Sequence, residues 1–363
     1  MIPIELYNTI YFVAISVITI FTILPLLDHR LLSYFPKINL KIGAIILLCT
    51  VILFIGLRDP MGHWRYFGDT SAYTRTYFDI KHGYRTEFNK DPGFFLYMRI
   101  IANVFPITFF YILSACFYVL LPHITFRKWF GEYSFFGLVA LVVSMSFWPF
   151  GINTLRSGLA AAIFIFALQF QKKKWLKWIF LILSVTFHKG MLLPFFAYIL
   201  AHYLKNTKRL VQLWMLAIPL SYYFGNVLEE YFKNMLTMSS FLQDSRADTY
   251  FEENPYLEIK FRWDFIVYSS IPIAFGLWYI YKNLFKENLY TRLVNTYIIV
   301  NTVWLILMRV AYTDRIAYLS WFLIPILLVY PLLRDEVRIG SKTKFLFIIL
   351  ILNLSFTIFM NIN

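Results

Sequence analysis

The sequence predicts an all-α, polytopic integral membrane protein with about twelve transmembrane helices, and three observations carry that prediction. Of the 363 residues, 60% are hydrophobic, 21% are aromatic and only 15% are charged, a membrane-embedded composition. The apolar runs recur at lengths set by the bilayer, since about 30 Å of hydrocarbon takes roughly 17–25 helical residues that satisfy their own backbone. Finally, lysine and arginine gather in alternate connections.

In chain order, the runs lie near residues 6–27, 42–57, 107–126, 134–151, 155–170, 175–188, 190–204, 210–225, 264–281, 293–309, 315–333 and 345–360. Polar residues punctuate them. The first stops at Asp28, the second at Arg58-Asp59, the third at Arg127-Lys128 and the fifth at Lys172 to Lys174. His188-Lys189-Gly190 separates the sixth from the seventh, a pair short enough to be two tilted spans or one re-entrant hairpin. Lys205, Lys282 and Arg334 follow the seventh, ninth and eleventh.

Orientation follows from the basic loops, because lysine and arginine near span ends are retained on the cytoplasmic side. One alternate set holds 19 of the 34 basic residues, from Arg30, Lys37 and Lys41 through to Lys342 and Lys344, and five of the 20 acidic residues. The remaining sequence is balanced, so the formal charge of +14 is a cytoplasmic excess and both termini are placed outside. Charge dispersed over short inter-span loops makes no binding stripe, which excludes nucleic acid as a partner. No basic n-region precedes the first run, as a signal peptide requires. Cys49 and Cys116 fall inside spans as apolar filler and report nothing about redox compartment.

Two connections on the outer side are long, 58–93 and 226–263. Connections of this length bind or gate something more often than short ones do. The first contains a short helix from about Ser71 to Lys81, closed by Gly83, and is followed by an amphipathic stretch from Phe94 to Phe105. The second is acidic and aromatic, with Tyr250, Phe251, Glu252, Glu253, Tyr256 and Glu258. With no internal repeat or linker, residues 1–363 read as one integral domain.

The outer side carries ten arginines and five lysines, the inner side six and thirteen. Lysine suffices for topology, whereas arginine is favoured where a planar fork grips phosphate or carboxylate. Arg156, Arg309 and Arg315 sit at or inside span boundaries, where a charge costs on the order of 2.5–3.5 kcal/mol unless compensated. Asn153 or Thr154 is expected to cap the helix whose first turn holds Arg156, a cation at the positive helix end. That placement suits an anion shared with the helix N–H groups; a snorkelling Arg156, or one paired with an aspartate, is the plainer alternative. Arg58 reads as an anion ligand or a snorkelling span end, Asp69 as an N-cap, and the sequence around His188 as an ordinary helix terminus. Trp64, Tyr66, Tyr73, Tyr77, Tyr250 and Tyr256 are outer-side aromatics that could stack on a bound ring, most of them readable as interface-belt or packing residues.

Arg58-Asp59 after the second span, Gly68-Asp69-Thr70 with Tyr73, Asp91-Pro92-Gly93-Phe94, Leu155-Arg156-Ser157-Gly158-Leu159-Ala160 and Phe187-His188-Lys189 carry a resemblance. In their order they resemble the EpsG-like branch of the Wzy-type bacterial polysaccharide polymerases, over roughly residues 1–205 and beyond that by topology alone. The chain departs from that pattern in having Ser157 where glutamine often follows the arginine, and in the segment Met61 to Phe67 before Gly68.

The resemblance implies a GT-C-like membrane glycosyltransferase of the bacterial inner membrane that joins oligosaccharide repeat units carried on undecaprenyl diphosphate, at the periplasmic or outer face. It implies membrane lipid and the lipid-linked glycan as partners, and a chain-length regulator protein as a further one. Asp69, His188 and Arg156 are then the catalytic candidates, and Arg58, Asp59, Arg156, Arg309, Arg315 and Tyr73 the candidates for binding substrate or diphosphate. No D-x-D, HExxH or Walker motif occurs, so no metal and no cofactor are expected, and the arginines would stabilise the leaving diphosphate. An O-antigen ligase would use nearly the same chemistry on another acceptor. A lipid-linked oligosaccharide flippase would need charge lining a path across the membrane, whereas the charge here stops at the outer third.

Overall fold

The computed structural model describes residues 3–28, 37–84, 91–238, 261–282, 285–309, 313–334 and 336–362. Among these the chain is helical or turning, without a strand. Six runs are long and apolar enough to cross a membrane: Ile4–Leu27, Asn39–Gly56, Ile107–Val142, Trp263–Lys282, Thr313–Arg334 and Lys342–Asn361. The chain is thus an all-α membrane protein. Six is half the number of spans expected, and the difference is concentrated in residues 134–204. There the helices are Ser134–Val142, Phe147–Ile152, Leu155–Ala167, Lys174–Phe187 and Leu192–Tyr203. At a rise of about 1.5 Å per residue, even the 14-residue member covers roughly 21 Å, short of a bilayer core near 30 Å.

The chain forms two compact units, one of Met1–Met191 with Val329–Asn363 and one of Leu192–Leu328. In the first, α1 (Tyr7–Ile23) and α2 (Lys37–Gly56) are followed by α3 (Thr70–Lys81), α4 (Pro92–Ala102) and α5 (Ile107–Phe130). Then come α6 (Ser134–Val142), α7 (Phe147–Ile152), α8 (Leu155–Ala167) and α9 (Lys174–Phe187). Helix α5 packs on α2 and α8, and α9 packs on α8 and α4. The buried alanines 160, 161 and 162 keep α8 narrow enough for that central position.

The expected span 134–151 is broken between α6 and α7, which would strand backbone carbonyls in an apolar setting. Backbone N–H groups take the Ser144 and Ser146 carbonyls, from Phe147 and Phe150 at 3.0 and 3.1 Å, and side chains bond at the two edges. Thr357 Oγ1 donates to Val143 O at 2.7 Å, and the Tyr118 hydroxyl to Phe147 O at 2.8 Å.

In the second unit, α10 (Leu192–Tyr203), α11 (Thr207–Met238), α12 (Trp263–Leu277) and α14 (Thr313–Trp321) surround α13 (Asn288–Ile306). The amides of α13 tie them together. Asn295 accepts from Thr207 Oγ1 at 2.8 Å and donates to Leu204 O at 2.9 Å. Asn301 accepts from Trp214 Nε1 at 2.7 Å and donates to Ser269 and Ser320 at 3.1 and 3.0 Å. Both amides are buried, so this pairing fixes how the helices meet. Helix α11 runs on to Met238, so the connection expected from residue 226 starts as helix.

Candidate functional site

The first long connection is held down by its own hydroxyls. Thr70 Oγ1 donates to Ile152 O at 3.1 Å, Thr74 Oγ1 to Pro60 O at 2.6 Å, and the Tyr111 hydroxyl to Thr70 O at 2.9 Å. Gly68 precedes them at φ +50, and a Cβ there would stand 2.1 Å from Asn153 Oδ1, so only glycine fits. With Gly68 in place, Asn153 Oδ1 accepts the Asp69 N–H at 3.1 Å. This joins the start of α3 to the gap between α7 and α8.

Asp91 enters this region from α4. It occupies the left-handed region at φ 46, the one non-glycine residue to do so among those described, and its side chain is 3% exposed. Gly93, two residues on, lies so close to Thr186 that a Cβ would meet its Oγ1 at 2.3 Å, which brings the start of α4 onto the end of α9. Three groups then converge on the carboxylate. Arg156 Nη1 donates to Oδ2 at 2.6 Å, the Lys189 N–H donates to Oδ1 at 2.8 Å, and His188 Nδ1 stands 3.9 Å from Oδ1. Burial pushes this carboxyl up, but His188, Arg156 and the Lys189 amide together outweigh it and hold Asp91 well below the usual carboxylate range.

Arg156 lies in the first turn of α8, where it was expected. Its Nε donates to the Tyr73 hydroxyl at 3.4 Å, and its guanidinium sits 5.6 Å from the Tyr73 ring centroid. Neither expected cap is made: Thr154 occupies the N-cap position with no side-chain bond to the helix, and Asn153 serves Asp69 instead. The aspartate partner weighed for Arg156 is therefore real, and it is Asp91.

Arg58 is the opposite case. It is 2% exposed, its guanidinium lies 4.2 Å from the Tyr111 ring centroid, and Nη1 donates to Gly151 O at 2.6 Å. Its Nε and Nη2 are buried without a hydrogen-bond partner among the described residues. Burial pulls its pKa down, and the phenols of Tyr111, Tyr7 and Tyr73 oppose that pull. Arginine nonetheless stays protonated, so the cation is kept at a cost that a bound anion would offset. The Tyr73 phenol, in contact with Arg156, opposes the burial penalty at both Arg58 and Arg156.

The other candidates are distributed as follows. Asp69 holds the N-cap position of α3 but makes no side-chain cap bond, and its carboxylate acts on Arg156. Asp59 is exposed and accepts the Met61 N–H at 2.9 Å, the work of a turn residue. Tyr77 is buried, its hydroxyl donating to Phe105 O at 2.6 Å, so its ring is packed rather than offered to a sugar. Arg309 and Arg315 belong to the second unit. Arg309 donates to Asn226 Oδ1 and Tyr222 O, each at 2.8 Å, and so anchors α11. Arg85 and Lys90, and Tyr250, Phe251, Glu252, Glu253, Tyr256 and Glu258 of the second long connection, lie outside the described residues.

Asp91 is the residue that sequence reasoning passed over as a participant, although it stands in the quoted Asp91-Pro92-Gly93-Phe94 motif. The available signal was an acidic residue before Pro-Gly at a helix start, a combination that reads first as an ordinary turn. The family model described as the EpsG family matches residues 41–363. No curated protein and no solved structure matches the chain.

Proposed function

The chain belongs to the EpsG family, a family of polysaccharide polymerase-like membrane proteins, and from that premise we propose that it is a glycosyltransferase that polymerises undecaprenyl-diphosphate-linked oligosaccharide repeat units at the outer face of the bacterial inner membrane. The observation that carries this reading is Arg58, a buried guanidinium whose Nε and Nη2 have no hydrogen-bond partner among the described residues, in the same unit as the carboxylate-paired Arg156. Hydrogen bonds to charged groups are worth about 1.5–3 kcal/mol each, and a diphosphate offers acceptors for both free nitrogens.

In this reading the work is divided by charge. Asp91 neutralises Arg156, leaving Arg58 to meet the leaving diphosphate as the anomeric carbon–oxygen bond breaks. Tyr73, which takes a hydrogen bond from Arg156, is assigned with it to the diphosphate, and Asp69 and His188 are assigned to the acceptor hydroxyl. The roles earlier considered for Arg309 and Arg315 at the diphosphate are not part of this proposal, since Arg309 already serves Asn226 and Tyr222.

The direct test is reconstitution. Purified protein in lipid nanodiscs, given a repeat unit on undecaprenyl diphosphate, should yield a ladder of lipid-linked oligomers and free carrier diphosphate. A product transferred to a lipid A core acceptor but never to a second repeat unit would replace polymerase with ligase.

A further inference from the structure

We propose that Asp91 is the positioning residue of this site: it holds His188 as the Nδ1–H tautomer, so that Nε2 presents its lone pair to an acceptor hydroxyl, and holds Arg156 in register with it. The chemical consequence rests on the transfer reaction proposed above, whereas the arrangement itself does not.

The carboxylate has both oxygens engaged by groups from two other elements. Oδ2 takes the Arg156 guanidinium from the start of α8, and Oδ1 takes the Lys189 N–H just past the end of α9, at 2.6 and 2.8 Å. That second bond fixes the peptide carrying His188. The imidazole Nδ1 is then buried, has no hydrogen-bond partner among the described residues, and stands 3.9 Å from the same Oδ1. An ionised carboxylate only accepts, so a lone pair on Nδ1 would face lone pairs on Oδ1, and the proton belongs on Nδ1. The side chain remains 24% exposed although Nδ1 itself is buried, and in the proposed arrangement that exposure falls on the Nε2 side of the ring. A gap of this size narrows to a hydrogen bond when a substrate settles the ring, as catalytic contacts commonly do on going from the free to the occupied site.

The backbone supports a specific aim for this carboxylate. Asp91 adopts φ 46 and ψ 57, away from the extended conformation that a following proline favours, and it does so without capping the helix that it begins. Its side chain is turned across to α8 and α9 instead.

The step balances as follows. The acceptor oxygen forms its bond to the anomeric carbon as its proton passes to His188 Nε2. The carbon–oxygen bond to the lipid diphosphate breaks, and the diphosphate leaves with that electron pair. The resulting imidazolium lies against Asp91 and returns its proton to water before the next addition.

The experiment is nitrogen-15 NMR of the full chain in nanodiscs with labelled histidine, which has six sites, His188 being assigned by its loss in His188→Gln. At pH 8 the wild-type His188 signal is expected to show a protonated Nδ1 and a bare Nε2. An Nε2–H tautomer there overturns the proposal, whatever the enzyme does. In Asp91→Asn, which removes the carboxylate charge, the population is expected to move to the Nε2–H form that free imidazole side chains prefer; an unchanged tautomer overturns it. Should Asp91→Asn fail to insert, the wild-type tautomer and Asp91→Glu, expected to keep Nδ1–H, decide the matter. With lipid-linked repeat units, Asp91→Asn is expected to lower kcat at least tenfold with KM within threefold of wild type, and a loss confined to KM overturns the positioning role. A wild-type protein that shows the Nδ1–H tautomer but forms no polymer would instead overturn the proposed function and leave the arrangement standing.

Discussion

Asp91 and Arg156 lie 65 positions apart in the chain and 2.6 Å apart in space, the aspartate 3% and the arginine 15% exposed. Truncating one partner of such a pair leaves the other as an uncompensated buried charge, a loss of about 3–5 kcal/mol in comparable cases. The pair therefore has two measurable aspects, one in stability and one in catalysis.

Arg156→Lys is expected to be nearly as damaging as Arg156→Ala. The guanidinium reaches Asp91 with Nη1 and the Tyr73 hydroxyl with Nε, two directions that a single ammonium does not reproduce. Losing one charged hydrogen bond, about 1.5–3 kcal/mol, corresponds to roughly a 10- to 100-fold fall in polymer formation at normal membrane levels. Full activity in the lysine variant would reduce Arg156 to a surface cation.

Arg58→Met should separate function from stability. Replacing a buried charge by an apolar side chain of similar volume is often neutral or stabilising by about 1–4 kcal/mol. The variant should melt no lower than wild type in detergent while losing binding of the lipid diphosphate. A large drop in Tm would instead mark Arg58 as an anchor for Gly151.

Asp69→Asn should cost little stability, because its backbone contact to Asn153 is retained, asparagine caps about as well as aspartate, and what is lost is the carboxylate's attraction for Arg156. Cells carrying it are expected to accumulate unpolymerised repeat units on the lipid carrier. Wild-type rates from pH 6 to 8 in the purified variant would remove Asp69 from the reaction and leave His188 as the base.

The depressed Asp91 carboxyl gives a signed pH dependence. Its folded pKa lies below the unfolded value of 3.8, so its stabilising contribution is fully present above that value and lost as pH falls through the folded one. Thermal unfolding should show no pH dependence from this group between pH 5 and 8, where its contribution is fully present, and a loss only below about pH 4. Asp91→Asn should flatten that acid limb, which melting curves at low pH will show.

Impermeant thiol reagents test the assigned face. Cysteine at exposed Lys173 should be protected in intact spheroplasts and cysteine at exposed Arg65 should react, each in a background lacking Cys49 and Cys116. The reverse pattern would move the site to the cytoplasm.

Much of the helical order was legible in the residues. The short helix expected from about Ser71 to Lys81 is Thr70–Lys81, with Gly83 beyond it at φ 77, and the stretch expected from Phe94 is the helix Pro92–Ala102. Local rules produce these, since caps, glycines and apolar spacing act within a few residues. The break between Val142 and Phe147 was not legible, since the side chains that bond the carbonyls at its two edges, Thr357 at Val143 O and Tyr118 at Phe147 O, are not neighbours in sequence.

The site divides in the same way. Hydrophobicity and charge placement by themselves determined that this is an α-helical membrane chain, because the bilayer tests every segment by its own length and polarity. Arg58, Asp69, Arg156 and His188 could be nominated individually on those grounds. Only the tertiary structure decided which cation is compensated. Arg156 is, by Asp91, while Arg58 keeps two bare nitrogens among the described residues. Burial and pairing are properties of three-dimensional neighbours, and an aspartate before a proline and glycine carries no local mark of the arginine and histidine 65 and 97 positions further along.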